Sequence, residues 1–267
     1  MELFDSHAHY NDEKFNQDRD KIIQEILKEN IKFVIAGYNL MSSKKAIEIS
    51  NTYEKIFCTC GISPNDLDID KVKILEQLNQ IEKIAKNNKI VAIGEIGLDY
   101  YWNKENKDLQ KEIFIKQIGI ANRLQLPIVI HTRDAINDTI EILKNNTVKK
   151  GGIFHCCPLN KYLVEEALKL GFYISFSGVI TFKNCKNAEE IINIVPEDKI
   201  LIETDSPYLS PEPNRGKRND SNNVKYVAEK IAKIKNKSIE EIAKITYDNT
   251  LRIFNKINWI FKKYMII

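Results

Sequence analysis

Eight short runs of apolar, largely β-branched residues recur at roughly thirty-residue intervals along this 267-residue chain, and no other feature restricts its fold as much. They are LFDSHAH near the start, IKFVIAG (31–37), IFCTCGI (56–62), KIVAIGEIG (89–97), LPIVIHT (126–132), GGIFHC (151–156), FYISFSG (172–178) and KILIETD (199–205). Most are nearly continuous in apolar character rather than alternating, the pattern of parallel strands covered on their outer face by helices. Between them apolar residues repeat at three and four, as Ile22, Ile23, Ile26 and Leu27 do in RDKIIQEILKEN, and as they do again in DLQKEIFIKQIGIANRLQ. NVKYVAEKIAKIKN and SIEEIAKITYDNTLRIF read as a closing pair of helices, with Ser238 and Glu241 spaced as a capping box. Strand and helix alternating in this way predict an α/β fold, the (β/α)8 TIM barrel, for which about 250 residues is typical. An open doubly wound sheet is the competing arrangement, but no GxGxxG or Walker loop follows any run. With no linker or low-complexity block, residues 1–267 are expected to form a single domain, of which 255–267 is an apolar C-terminal tail.

The 43% hydrophobic content is enough for a large core, and a net charge of +3 gives no global field for a nucleic acid, so any phosphate affinity has to be local. Cys58, Cys60, Cys156, Cys157 and Cys185 are odd in number, and no apolar leader precedes MELFDSHAHY; reduced thiols in a cytoplasmic protein are expected. No run reaches the roughly 18 apolar residues of a membrane helix. INWIFKKYMII comes nearest and is interrupted by Lys262 and Lys263, so no membrane association is expected.

All four histidines of the chain sit where the apolar runs end: His7 and His9 on the first, His131 on the fifth, His155 on the sixth. If strand C-termini make up roughly a tenth of such a chain, chance places all four there about once in ten thousand. That rim is where barrel enzymes keep their active sites. Side chains alternate along a strand, so His7 and His9 project to one side, and Asp5 shares that face as a candidate acceptor to orient a histidine ring. Glu95 and Asp205 also end apolar runs, where a carboxylate is expensive to bury unless paired or bound to a metal. A lone strand-end histidine is ordinarily a hydrogen-bonded rim residue, and Glu95 or Asp205 alone would pair with Arg133 or Arg215. Four histidines and two carboxylates from five strands of one barrel read instead as metal ligands: His7, His9, Glu95, His131, His155 and Asp205.

In chain order, DSHAH, GEIGLDYYW, HTRDA, FHC, ISFSGVITFKN and ETDSPYLSPEPNRGKRN resemble the TatD-type metal-dependent deoxyribonucleases, a branch of the amidohydrolase-like barrels. The likeness runs to about Phe254. It implies a binuclear site in which His7 and His9 hold one ion and His131 and His155 the other, with Glu95 bridging and Asp205 beside the reacting water. Three segments depart from the family pattern. GISPND carries Ser63 and Asn65 where histidines are usual, CPLN follows His155 in place of Phe-Ser-Gly, and Asp220 and Ser221 follow RGKRN in place of Glu-Pro. None removes an expected ligand; all three bear on the substrate loops.

Two divalent ions lower the pKa of a water and clamp the attacking and leaving oxygens. Two such ions, two carboxylates and a hydroxide leave the site positive, which suits an anionic phosphodiester better than a neutral amide. Asp205 is the expected general base, with Glu95 the second catalytic carboxylate. Arg133, Arg215, Lys217 and Arg218 are candidates for phosphate oxygens, and Tyr100, Tyr101 and Trp102 for stacking on bases. Imidazole and carboxylate donors accept Zn, Mn, Co or Ni, with Mg less natural, and the resemblance implies Mg or Mn; the expected ions are Mg, Mn or Zn. DNA, cleaved from a strand end, is the expected substrate, with no obligate protein partner. Amides or cyclic amides on the same scaffold are the alternative, since fold does not fix substrate. A non-catalytic nucleic-acid-binding protein is disfavoured by the complete ligand set.

Overall fold

The apolar runs are buried except at a few end residues such as Lys89, His131 and Asp205, and burial on both faces is what gives them strand structure in a parallel sheet. In the computed structural model of the protein, which describes residues 1–68 and 70–258, they are β1 (Leu3–Ala8), β2 (Ile31–Ile35), β3 (Ile56–Cys60), β4 (Ile90–Asp99), β5 (Ile128–Arg133), β6 (Gly152–Phe154), β7 (Tyr173–Phe176) and β8 (Ile200–Ile202). The strands follow one another in chain order in one eight-stranded sheet. Helices lie between them: α1 (Arg19–Lys28), α2 (Leu40–Thr52), α3 (Lys71–Ile84), α4 (Lys107–Leu124), α5 (Ile136–Asn145), α6 (Lys161–Lys169) and α7 (Ala188–Ile194). The chain ends in α8 (Val224–Lys235) and α9 (Ile239–Ile253). This is the expected (β/α)8 fold. Among the described residues no helix is long and apolar enough to cross a membrane.

The chain divides into two compact units. The first, Met1–Ile35 with His155–Arg252, holds β7, β8, β1 and β2. Here the last strand meets the first: Ala8 bridges Ser206, Asp205 N–H donates to the His7 carbonyl (3.0 Å), and His9 N–H donates to that of Ser206 (2.6 Å). Register pairs Leu3 with Ile31 and Ile174 with Ile200. Tyr10, Phe15 and Phe33 stack in its core at 4.5–4.7 Å. The expected cap of α9 is present, with Ser238 N–H on Glu241 Oε2 at 2.8 Å and Glu241 N–H on Ser238 Oγ at 3.2 Å.

The second unit, Ala36–Phe154 with the residues from Ile253 on, holds β3 to β6. Glycines set the spacing of β4 against β5. A Cβ on Gly97, whose φ is +140°, would overlap the His131 carbonyl oxygen, and one on Gly94 would press on Val129. Only glycine at both places lets the backbone carrying Glu95 approach the strand carrying His131. At the start of the expected tail, Ile257 is buried and Lys256 Nζ donates to the carbonyls of Asn87 and Ile90, both at 2.8 Å. Residues 259–267 of that tail lie outside the described residues.

Candidate metal centre

In the first unit β1 delivers His7 and the residue just past its end, His9, while the segments after β6 and β8 deliver His155 and Asp205. His7 Nε2 and His9 Nε2 lie 3.1 Å apart; Asp205 Oδ1 is 3.1 Å from the latter and 3.7 Å from the former. The His155 ring stacks on His7, with centroids 4.0 Å apart and planes 13° from parallel. One donor atom from each of His7, His155 and Asp205 falls within a span of 4.8 Å. Asp205 holds a left-handed backbone, φ 57°, which brings its side chain back toward the histidines. Burial pushes its carboxyl up, but the bond from His9 and the charges of His9, His7 and His155 outweigh that and hold it below the usual range.

Beneath these donors is a second carboxylate, Asp5, fully buried. It accepts from His7 N–H (3.2 Å), Thr204 N–H (2.9 Å), Thr204 Oγ1 (2.5 Å) and Ser221 Oγ (2.6 Å). The expectation that Asp5 orients a histidine ring is therefore corrected: it fixes His7 through the backbone amide, because its oxygens are taken by hydroxyls and amides. Burial pushes its pKa up to about 7 despite those bonds, since neutral donors do not cancel the penalty on a buried charge. Glu203, also buried, accepts from Cys156 N–H at 2.6 Å and stands 3.5 Å from His155 Nδ1.

In the second unit His131 Nδ1 faces Glu95 Oε1 at 3.2 Å, and its Nε2 faces Asp99 Oδ2 at 2.9 Å. Asp99 also accepts from the N–H groups of Tyr101 (2.9 Å) and Trp102 (3.0 Å) and from Asn65 Nδ2 (3.1 Å). Burial pushes its carboxyl up, yet the bonds from His131, Trp102 and Asn65 prevail and hold it at about 2.

These donors fit divalent ions. Donors about 2.1 Å from one ion, at angles of about 90–110°, stand about 3.0–3.4 Å apart. The His7–His9–Asp205 triangle and the His131–Glu95 pair are close to that edge length. Asp99, ionised and able only to accept, requires the His131 proton on Nε2. That leaves Nδ1, 3.2 Å from Glu95 Oε1, as the nitrogen able to give a lone pair to a cation.

The expected substrate groups divide. Arg133 lies 3.8 Å over the exposed Tyr101 ring and 5.6 Å from Trp102, which is 67% exposed. Tyr100 is placed otherwise: it is buried, Lys107 covers its ring, and its hydroxyl donates to Asp138 at 2.6 Å, so it has no face for a base. Arg215 stacks on Phe182 at 3.6 Å, and Lys217 sits in an exposed turn whose N–H bonds the Asn214 carbonyl. Arg218 is held by Asp18 through two bonds of 2.9 and 2.6 Å. Sequence reasoning passed over Asp99, Glu203 and Tyr208. Asp99 and Glu203 had a signal in strand parity, lying four residues past Glu95 and two before Asp205. Tyr208, 42% exposed, donates to Asp12 at 2.7 Å and sets its ring edge toward His9; nothing in the sequence marked it.

Histidines and carboxylates at the strand C-termini of a (β/α)8 fold define the class of metal-dependent barrel hydrolases. The model of the family described as TatD related DNase matches residues 4–255. The chain is 43% identical over 254 residues to the uncharacterized metal-dependent hydrolase YabD of Bacillus subtilis, covering 94% of this chain and 98% of the relative. It is 38% identical to the uncharacterized metal-dependent hydrolase YcfH of Escherichia coli, with 96% of each covered. Among solved structures, the TatD homolog YjjV of Escherichia coli superposes with a TM-score of 0.88 at 24% identity, covering 95% of this chain and 98% of that one. The chain belongs to the TatD family and is a metal-dependent hydrolase.

Proposed function

We propose that the chain is a deoxyribonuclease that hydrolyses phosphodiester bonds from a DNA end, with two divalent ions, Mg, Mn or Zn, held by His7, His9, Glu95, His131, His155 and Asp205. The observation that carries this reading is the pairing, in the second unit, of a donor set with an exposed cation–aromatic platform, Arg133 on Tyr101 and Trp102. A guanidinium stacked on one ring beside the open ring of Trp102 matches a nucleotide, whose phosphate takes charge-assisted bonds and whose base stacks. A neutral amide has no use for the former.

The ions, when bound, acidify a water and stabilise charge on the leaving oxygen. Asp205 takes the proton of the attacking water; its carboxyl, held below the usual range, is ionised and ready to accept at neutral pH. Glu95, 3.2 Å from His131 Nδ1, would supply a second carboxylate donor. Asp5, Thr204 and Ser221 hold the backbone from which His7 and Asp205 project. The five free cysteines support work in the reducing cytoplasm.

The test is purified protein on end-labelled single-stranded DNA and on a dihydropyrimidine, each with added Mn²⁺ and with chelator. Metal-dependent shortening of the DNA alone is expected. Turnover of the cyclic amide alone would overturn the DNA reading and leave the hydrolase class standing.

A further inference from the structure

Asp99 has no part in the hydrolysis described above, yet it is a buried carboxylate with four partners drawn from three segments of the second unit. One oxygen, Oδ1, accepts from the backbone N–H groups of Tyr101 (2.9 Å) and Trp102 (3.0 Å). The other, Oδ2, faces His131 Nε2 at 2.9 Å and accepts from Asn65 Nδ2 at 3.1 Å. We infer that Asp99 is the positioning residue of the second unit, setting the tautomer and angle of His131 with one oxygen and the pose of the Tyr101–Trp102 platform with the other. The first role rests on the metal reading above; the second does not.

An ionised carboxylate offers no proton, so His131 presents an N–H on Nε2, and Nδ1, 3.2 Å from Glu95, is the nitrogen that would hold an ion there. Outer carboxylates that fix a ligand imidazole in this way typically change metal affinity about 10–100-fold when replaced. Oδ1 gathers two successive amides, which turns the chain sharply at the end of β4 and presents the next two rings outward. Gln110 backs that turn independently: its side chain accepts from Asp99 N–H (2.8 Å) and donates to the Asp99 and Asn103 carbonyls (both 3.0 Å). Platform and ligand thus share one carboxylate, and substitutions separate its two halves.

Asp99→Asn retains an oxygen for the two amides but puts an NH2 where Oδ2 stood. Facing that donor, His131 has to move its proton to Nδ1, which removes the lone pair on the Glu95 side. Asp99→Ala removes both halves. Gln110→Ala loosens the turn and spares the imidazole. The experiment titrates Mn²⁺ into full-length wild type and the three variants, counting free ion by electron paramagnetic resonance. Trp102 emission is read in a Trp259→Phe background, and circular dichroism checks the fold.

Wild type is expected to take up two equivalents. Asp99→Asn should weaken one of them about 10–100-fold with Trp102 emission unchanged. Asp99→Ala should weaken it likewise and shift the emission to the red, and Gln110→Ala should shift emission only. Asp99→Asn binding Mn²⁺ as wild type does would overturn the role on His131 and leave the metal reading intact. Absence of any saturable Mn²⁺ in wild type would overturn the metal reading and that role together. Emission of folded Asp99→Ala identical to wild type would overturn the role in the platform, whatever the metal does.

Discussion

Asp5 lies at the root of β1 among hydroxyls and backbone amides, and Asp99 ends β4 against an imidazole; both are buried, one in each unit. Their surroundings send them opposite ways. Hydroxyls and amides do not offset the loss of water around Asp5, whose pKa climbs to about 7. An imidazole with three N–H donors more than offsets it for Asp99, held at about 2. The first carboxylate ties β1, Thr204 after β8, and Ser221 together and touches no ligand ring. The second keeps a full charge and faces the imidazole of His131 with it. Exposure follows the same division. In the first unit His7 and His155 are closed in, whereas in the second the His131 side chain is 20% exposed and Trp102 is 67% exposed. On the proposed reading, the first unit takes the proton and the second meets the substrate.

The sharpest break in that comparison is the proton acceptor. Asp205→Asn keeps a carbonyl oxygen for an ion but accepts no proton, and general-base catalysis is worth about 10²–10⁴-fold. Cleavage of DNA should fall by about that factor and stay low across a Mn²⁺ titration. His155→Ala, which acts by losing an ion, should recover partly as Mn²⁺ rises. Recovery of Asp205→Asn to near wild-type rates would reduce Asp205 to a ligand and move the base elsewhere.

In the second unit the largest effect belongs to the open ring. Base stacking on an aromatic side chain is worth about 1–3 kcal/mol by alanine substitution. Trp102→Ala should therefore raise the Kd for single-stranded DNA by roughly 5–150-fold while Mn²⁺ affinity holds. Tyr100→Ala, at a ring with no free face, should change DNA binding only so far as it unfolds the turn. Equal losses from the two at full stability would break the division between buried and open rings.

Arginines sharpen the comparison at smaller scale. Arg133→Ala removes the cation over Tyr101 and should lower the salt slope of DNA binding by about one counterion. Arg218 is engaged on both edges by Asp18. Its loss should leave the slope nearly unchanged, with Arg215→Ala and Lys217→Ala between the two. A slope that falls as much for Arg218→Ala as for Arg133→Ala would mean that the ion pair opens for substrate.

These contrasts also mark how far the sequence is legible. Continuous apolar runs such as IFCTCGI and LPIVIHT, short and alternating with helical stretches, read as strands buried on both faces, and their eightfold recurrence points to the barrel. Their last residues then fall at the C-terminal rim, which makes His131, His155 and Asp205 readable as candidate ligands. What escapes is whatever depends on a distant partner. Arg218 and Arg133 look alike in a polar loop until Asp18, two hundred residues away, is seen to claim one of them. Tyr100 and Tyr101 are neighbours with opposite fates, because the turn after β4 points one ring inward to Asp138 and the other out. Asp5 shares a strand face with His7, but parity does not reveal that Thr204 and Ser221 take its oxygens.

The smallest expected effect tests the division into units itself. Each has one capping box: Ser238 with Glu241 at α9 in the first, Asn39 with Ser42 at α2 in the second, the latter closed by bonds of 2.8 Å both ways. Loss of such a cap destabilises by about 1 kcal/mol. Neither box touches a ligand, so Ser238→Ala and Asn39→Ala should leave Mn²⁺ binding alone. Asn39→Ala should do slightly more, since its side chain also donates to Asp66 at 2.8 Å. The eight strands form one sheet. A cap lost at either helix should therefore lower the stability of the whole chain. In urea, circular dichroism and Trp102 emission should move together to a lower midpoint in either variant, with the slope unchanged. If Ser238→Ala shifts only the first part of a two-step curve and Trp102 reports only the other, the units unfold separately, and the single-domain reading of residues 1–267 fails.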